Sequence, residues 1–266
     1  MKKILFLILF MISASFAINL IEPVKTDVKN GDTIDLGEIG PGQTIAIRMD
    51  PKITEGGKYN EGGEYDIAIP KDLPKGWDGE QSKLYEKPLH VAITAAKDAP
   101  EGIYTAKITM HDTNEDKLED ITITVRIKIT WDVLETSVSP AEITVGPGQP
   151  ARYTVSITNK GTASDVFVVT SSGLKRWQYK KEVYVPAKTT RKDVIYEIVE
   201  NEEETYEPTI TIVSKASDII KDEQKVRFQV NTNLINDYKA TNHGVMILPI
   251  FESIIYSFMG LVSNLF

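Results

Sequence analysis

The sequence contains no cysteine and only three histidines among its 266 residues. Without cysteine there can be no disulfide, no thiol chemistry and no cysteine-ligated metal site. His90, His111 and His243 lie far apart and share no ligand spacing, so neither a histidine metal centre nor a histidine general base is expected. The fold must therefore be stabilised by burial of a core.

Several functional signatures are also missing. The chain has no P-loop, no Rossmann glycine pattern, no nucleophile elbow and no Asn-x-Ser/Thr glycosylation site. Its net charge of −8 argues against general nucleic-acid binding. Acidic residues are plentiful, but nothing distinguishes one pair as catalytic. We expect a protein that is not an enzyme and carries no cofactor.

Residues 1–17 have the features of a secretory signal peptide. Two lysines, Lys2 and Lys3, precede an apolar core, and Ser15 and Ala17 flank Phe16 in a small-x-small cleavage site. The apolar core is too short to span a membrane comfortably. An uncleaved anchor is the alternative. Cleavage would remove the two lysines and change the net charge from −8 to −10.

Residues 244–266, GVMILPIFESIIYSFMGLVSNLF, carry one charge, Glu252. At about 1.5 Å per residue, a helix here reaches roughly the ~30 Å of a bilayer core. We predict a single-pass membrane helix; an amphipathic helix on a membrane or partner and a buried helix of a soluble domain are the alternatives. Small or polar residues share one helix face, which suggests contact with another membrane helix: Ser253, Ser257, Gly260 and Asn264. The expected location is the cell membrane, with the preceding domains extracellular.

Between these ends, apolar and polar residues alternate in short stretches. In each stretch the first apolar residue and every second residue after it are expected to face the core. The stretches are Ile45–Met49, Tyr65–Ile69, Leu89–Ile93, Tyr104–Met110, Ile121–Ile129, Tyr153–Ile157, Val166–Val168, Ile210–Ile212 and Val226–Val230. Period-two alternation predicts antiparallel sheets, and no helical stretch competes with it here.

A set of landmarks occurs twice in the same order. The pairs are Pro41–Gln43 with Pro147–Gln149, Trp77 with Trp177, and Tyr104 with Tyr206, at offsets of 106, 100 and 102 residues. This repetition predicts two copies of one module of about 100 residues.

Short strands in modules of this size favour a β-sandwich of immunoglobulin type. The predicted fold class is all-β, with two tandem immunoglobulin-like β-sandwiches followed by a C-terminal transmembrane helix. The sandwiches are assigned to residues 18–132 and 133–231, and residues 232–243 to a polar stalk. Tyr104, after Gly102, resembles the tyrosine corner of such folds; Tyr206 matches it less well because Glu204 replaces the glycine. Trp77 and Trp177 are expected to fill the cores.

The second module, over residues 134–231, carries a family resemblance. The matching segments are Ser139–Pro140, Val145–Gln149, Tyr153–Val155, Asn159–Ala163, Trp177 and Pro186. They resemble the immunoglobulin-like domain associated with the NPCBM module of α-galactosidases, and related modules of archaeal and bacterial membrane-anchored surface proteins. The first module matches more loosely. The resemblance implies a non-catalytic extracellular spacer or binding module.

One acidic stretch is a weak metal candidate. Asp112, Asn114 and Asp116 resemble the first half of a calcium loop, with oxygen ligands at alternate positions. However, Lys117 stands where the turn glycine is needed, and Ile123 where the bidentate acid is needed. A polar hairpin turn is the simpler interpretation.

A second candidate is a basic–aromatic patch, which consists of Lys175, Arg176, Trp177, Tyr179 and Lys180, with Lys181 and Tyr184 close to it in the sequence. Such a patch suits an anionic ligand or a sugar, although a strand with core aromatics and outward basic residues explains it equally. The expected function is a non-enzymatic, membrane-anchored surface protein with a structural, adhesive or scaffolding role. The alternative is an accessory module that binds carbohydrate or envelope polymer for an enzyme encoded elsewhere. Expected partners are the lipid bilayer, another membrane helix or surface protein, or a glycan, and no nucleic acid.

Overall fold

A computed structural model describes residues 17–232, apart from residues 60, 115–117 and 177–178. The cleavage-site residue Ser15, most of the predicted stalk and the predicted membrane helix with its face Ser253, Ser257, Gly260 and Asn264 lie outside the described residues. Every regular element in the described part is a β-strand, which confirms the all-β class there. No helix within residues 17–232 is long and apolar enough to cross a membrane.

Eleven strands come before residue 130. They are β1 (Ile18–Glu22), β2 (Thr26–Val28), β3 (Thr33–Ile39), β4 (Thr44–Met49), β5 (Lys52–Ile53), β6 (Gly63–Glu64), β7 (Ile67–Lys71), β8 (Asp78–Glu80), β9 (Leu89–Thr94), β10 (Gly102–His111) and β11 (Ile121–Ile129). Ten strands follow. They are β12 (Leu134–Ser139), β13 (Glu142–Val145), β14 (Pro150–Asn159), β15 (Asp165–Ser172), β16 (Lys181–Val185), β17 (Thr190–Val199), β18 (Thr205–Tyr206), β19 (Thr209–Ser214), β20 (Lys221–Lys225) and β21 (Arg227–Val230).

The first eleven strands form two main sheets and a small β5–β6 pair. One sheet has the order β2-β1-β4-β9-β8, and the other has the order β3-β11-β10-β7. All pairs are antiparallel except β3 with β11. Buried side chains of both sheets join one apolar cluster, which includes Leu20 and Ile47 from the first sheet and Ile123 from the second. We call this arrangement the first sandwich.

The remaining strands enclose a separate apolar cluster, and we call them the second sandwich. Their sheets have the orders β12-β14-β17, β16-β15-β19-β20 and β13-β21-β18, with β13 parallel to β21. The largest side chains in this core are fully buried: Tyr153, Phe167, Tyr196 and Phe228. Burying that apolar area is the main force that holds the sheets together.

Most alternating stretches bury the expected side chains, but two were assigned to the wrong face. In β7, Ala68 is fully buried while Ile67 and Ile69 are partly exposed. In β15, Phe167 is fully buried between two partly exposed valines, Val166 and Val168. Both strands are apolar on each face, so period-two alternation does not determine which set of side chains points inward.

The repeated Gly-Pro-Gly-Gln segment forms the same turn at Gly40–Gln43 and Gly146–Gln149. In each turn the glutamine N–H donates to the first glycine's carbonyl, at 3.2 and 3.1 Å. The first glycine's N–H donates to the glutamine Oε1, at 2.8 and 3.0 Å. The glycine before the glutamine has a φ of 75° in one turn and 73° in the other, which only glycine adopts without strain.

Both tyrosine landmarks bond back to the chain. The Tyr104 hydroxyl donates to the carbonyl of Pro100 at 3.0 Å, and the Tyr206 hydroxyl donates to that of Glu202 at 3.3 Å. Each bond spans four residues. Trp77 lies in the first core beside Tyr104, with ring centroids 5.2 Å apart. Trp177 lies outside the described residues.

Candidate functional site

A buried carboxylate connects the two sandwiches. Asp165, the first residue of β15, accepts a hydrogen bond from the Gln43 side-chain amide at 2.6 Å. It also accepts from the Ser214 hydroxyl at 2.6 Å and from the Val166 N–H at 2.7 Å. Gln43, Asp165 and Ser214 are all buried. Because a buried carboxylate is costly unless its oxygens are paired, these donors must remain in place for the junction to stay closed.

The backbones of the two sandwiches also meet closely at this junction. The N–H and the hydroxyl of Thr162 both donate to the carbonyl of Glu38, at 2.7 and 2.9 Å. A Cβ on Gly37 would lie 2.6 Å from Thr162 Cγ2, and a Cβ on Gly40 would lie 2.2 Å from Ile220 Cδ1. A side chain at Gly37 or Gly40 would therefore force Thr162 or Ile220 to shift, so the contact is tightly packed.

The first sandwich has a matching aspartate at its opposite end. Asp66, just before β7, accepts from both the N–H and the hydroxyl of Thr113 at 2.7 Å. Its other oxygen accepts from the Asn114 side-chain amide at 2.9 Å. Asp66 therefore binds a side-chain amide from its own sandwich, whereas Asp165 binds the Gln43 amide from the other sandwich.

The weak calcium candidate lies in this same loop. Both carboxylate oxygens of Asp112 accept backbone N–H groups, from Asn114 at 2.8 Å and from Leu118 at 3.0 Å. Asp116 lies outside the described residues. Within the described ranges, no group of three or more histidine or acidic side chains could hold a metal ion. Asp112 and Asn114 therefore close the loop between β10 and β11.

At the far end of the second sandwich, the repeated turn has no such partner among the described residues. The Gln149 amide nitrogen has no hydrogen-bond acceptor among the residues that the structure describes. A Cβ on Gly148 would meet only Asn201 Oδ1, at 3.5 Å. The last described residue, Thr232, also lies at this end, where its N–H donates to Glu203 Oε1 at 2.6 Å.

The basic–aromatic patch lies at the same end and is only partly assembled into a cleft. Arg176 and Tyr179 help to line this cleft, which has a volume of about 770 Å³. Lys180 is exposed outside it, and Trp177 lies outside the described residues. Lys175 instead pairs with Glu202 and Glu204, and its hydrogen bond to Glu202 is the main reason that the Lys175 pKa is raised.

The other lining residues come from two strands that the patch did not include. They are Lys181 on β16 and Ile195, Tyr196, Glu197 and Val199 on β17. Sequence spacing placed Lys181 near the patch, but nothing in the sequence pointed to β17. The strands β16 and β17 belong to different sheets, so the cleft forms only where the fold brings these two sheets together.

The side chains of the cleft include one exposed aromatic ring and two groups that hydrogen-bond to backbone carbonyls. The Tyr179 side chain is 66% exposed, so its ring is available for contact. Lys181 Nζ donates to the Ile195 carbonyl at 2.7 Å, and the Tyr196 hydroxyl donates to the Tyr179 carbonyl at 2.8 Å. Burial raises the pKa of the Tyr196 hydroxyl above its ordinary value.

Comparisons with known proteins give little further information. The sequence matches no protein-family model and no curated protein. A β-glucosidase from Listeria innocua is 16% identical, over 38% of this chain and 16% of its own, with a TM-score of 0.26. A chimeric titin Z1Z2 is 9% identical, over 83% of this chain and 100% of its own, with a TM-score of 0.33. The adhesin InvE of Yersinia pseudotuberculosis is 13% identical, over 81% of this chain and 60% of its own, with a TM-score of 0.29. Likenesses at this level carry no argument about function.

Proposed function

We propose that this protein is a non-enzymatic, membrane-anchored cell-surface scaffold whose two immunoglobulin-like domains form a stiff spacer. The observation that carries the proposal is the closed junction at Asp165, whose carboxylate binds donors from both sandwiches. A linker that allowed free swing would not need buried polar bonds or glycine contacts across the joint. A stiff spacer holds its contacts at a fixed distance from its anchor.

The immunoglobulin assignment is supported by strand order and by the tyrosine bonds. In the first sandwich, β1, β4, β9 and β8 correspond to strands A, B, E and D, while β7, β10 and β11 correspond to C, F and G. The hydroxyls of Tyr104 and Tyr206 each bond to a carbonyl four residues upstream, at the start of the F strand. This is the bond that a tyrosine corner makes in immunoglobulin-like domains.

Membrane anchoring is proposed from the sequence of residues 244–266 together with the signal peptide. Export would place both domains outside the cell and leave the apolar segment in the bilayer as a single-pass anchor. Alkaline carbonate extraction of membranes tests this proposal: the protein should stay in the pellet. Release into the supernatant would reject the spanning anchor while leaving the spacer role open.

Spacer stiffness is tested by small-angle scattering on the wild type and on the Asp165→Ala variant. The wild type should give one narrow distribution of interdomain distances, and the variant should give a broader one. The matched control is Asp66→Ala, because Asp66 is also a buried aspartate but accepts its hydrogen bonds within the first sandwich, at the end opposite the junction. Equal breadth in wild type and Asp165→Ala would reject the closed junction as the source of stiffness.

A glycan-binding accessory role is the second candidate, and the exposed ring of Tyr179 beside Arg176 in the cleft favours it. Aromatic rings commonly stack on sugar faces, and a guanidinium can bind sugar carboxylates or sulfates. Polysaccharide pull-down with wild type and Tyr179→Ala tests the role. Equal retention of both proteins would reject the cleft as a glycan site.

A further inference from the structure

The two sandwiches differ at one sheet edge. Strands β4 and β14 each follow the repeated turn, and they pair with β9 and β17, respectively. In the first sandwich the outer edge of β9 is covered by β8. In the second, β17 ends its sheet, and no described strand pairs with its outer edge.

The difference arises in the chain segment that precedes β9 in the first sandwich and β17 in the second. Between β7 and β9 the chain places β8 against β9, in the same sheet. Between β15 and β17 it forms β16, which pairs with β15 in the opposite sheet. The strand that would cover β17 is therefore used elsewhere.

The orientation of the backbone on β17 shows which groups the open edge presents. Lys181 Nζ reaches the Ile195 carbonyl from outside the sheet, so Ile195 directs its backbone groups away from β14. In an antiparallel pair, alternate residues direct their backbone groups to the same side. Glu197 therefore also presents its N–H and carbonyl outward, along the wall of the cleft.

We propose that the edge of β17 at Ile195–Glu197 binds an acidic, extended segment of a partner protein as an added antiparallel strand. Strand addition supplies backbone hydrogen bonds, while side-chain pockets set specificity. This inference rests on the proposed scaffolding role, for which it names the chemistry of the partner. The position of the added strand is the one that β8 occupies against β9 in the first sandwich.

The charges of the cleft determine the chemistry of the partner. The strand β8 is Asp78-Gly79-Glu80, which carries two acids in three residues. The cleft at the corresponding edge of the second sandwich is lined by two cations, Arg176 and Lys181, and by one acid, Glu197, whose carboxylate pairs with Arg152 at 2.8 Å. An acidic strand at this edge would therefore meet cations, whereas a basic one would be repelled.

Lys181 also explains how an open edge is kept from pairing indiscriminately. Its ammonium group donates a hydrogen bond to the Ile195 carbonyl. Lysine side chains commonly protect exposed edge strands from pairing with other chains. A carboxylate on the incoming strand would draw the ammonium group away and expose that carbonyl. Segments without an acid would leave it in place.

The test uses a synthetic peptide with the sequence of residues 76–82, GWDGEQS, which contains β8 and whose side chains carry a net charge of −2. Hydrogen exchange of the full chain is followed with and without peptide. The peptide should slow exchange of the Ile195 and Glu197 amides by about tenfold or more, which corresponds to about 1.4 kcal/mol or more of protection. A peptide with lysine in place of Asp78 and Glu80 should give no protection.

Two pairs of variants separate strand addition from other modes of binding. Lys181→Glu should weaken peptide binding about tenfold, whereas Lys225→Glu, on exposed strand β20, should not. Glu197→Pro should abolish binding because it removes an outward N–H, while Glu197→Ala loses only the pairing with Arg152 and should retain binding. Circular dichroism verifies that each variant is folded.

Other occupants give distinguishable results, and each would overturn the proposal. If the Ile195 and Glu197 amides are protected before peptide is added, at any concentration of protein, another part of the same chain fills the edge. If this protection appears only as protein concentration rises, a second copy fills it. Protection by an acidic polysaccharide but not by the peptide would assign the cleft to a glycan. None of these results alters the carbonate or scattering tests, so failure here and failure of the proposed function remain distinct.

Discussion

The buried amide of Gln43 allows the energy of the junction to be measured, because the chain contains an internal control. Replacing Gln43 with alanine removes two bonds: the amide bond to Asp165 at 2.6 Å and the turn bond from Gly40 at 2.8 Å. Replacing Gln149 removes the equivalent turn bond from Gly146, at 3.0 Å. The Gln149 amide has no acceptor among the described residues, so that variant loses no contact between sandwiches.

The difference between the two variants isolates the bond across the junction. A hydrogen bond to a charged group contributes about 1.5–3 kcal/mol, and this one is buried at both ends. Each variant also loses a turn bond of roughly 0.5–1.5 kcal/mol. Gln43→Ala should therefore destabilise the protein by about 2–4 kcal/mol, and Gln149→Ala by only about 1 kcal/mol.

Urea unfolding of both variants, followed by intrinsic fluorescence and by far-ultraviolet circular dichroism, measures this difference. Fitting both signals together is necessary because two sandwiches need not unfold in one transition. Equal losses in the two variants would refute the reasoning, since they would mean that the amide–carboxylate bond contributes no net stability. Adding Asp165→Ser to Gln43→Ala completes a double-mutant cycle and should show a coupling energy of at least about 1 kcal/mol.

Three further predictions concern a glycine pair, a tyrosine and a lysine. Gly42→Ala should lower the free energy of unfolding more than Gly148→Ala does, by about 1–3 kcal/mol. Both glycines have a positive φ, but only a Cβ on Gly42 would meet backbone of the other sandwich, 2.8 Å from the Ala216 carbonyl oxygen. Burial raises the pKa of Tyr65 from 10.0 to about 12, so the unfolded chain loses this proton at a lower pH than the folded chain does. The contribution of Tyr65 to stability should therefore be complete below pH 10 and be lost as pH rises from 10 towards 12. Unfolding measured across this pH range should show a smaller loss for Tyr65→Phe. Lys175→Ala should leave the urea unfolding midpoint almost unchanged, because its pairs with Glu202 and Glu204 are exposed to solvent.

The sequence predicted those features that depend on local pattern. One-sided alternation in Ile121–Ile129 identified both the strand and its buried face, because the polar residues can only point to water. The Pro-Gly-Gln landmark was found twice in the sequence, and in the structure both copies form a turn of nearly the same geometry. Where both faces are apolar, as in β7 and β15, the same reasoning found the strand but not its face.

Features that depend on which strands become neighbours could not be predicted. Gln43 and Asp165 are 122 residues apart, and although Gln43 belongs to the repeated turn, nothing in the sequence pairs it with Asp165. The patch around Tyr179 was noticed because its residues are close in sequence, but most of the cleft comes from β17. Whether the segment before β17 pairs with β15 or with β17 depends on a competition between two sheet edges, and composition alone does not decide it.

The two ends of this double sandwich are chemically different, which bears on where a partner would bind. At one end Asp66 is satisfied by Asn114, and at the junction Asp165 is satisfied by Gln43. At the other end Gln149 is left without an acceptor among the described residues, and the edge of β17 has no neighbouring described strand. The chain also leaves from that end, at Thr232. If the protein is held at a membrane as proposed, its open bonding groups lie on the side nearest the anchor, so a partner would be found close to the membrane surface rather than at the outer tip.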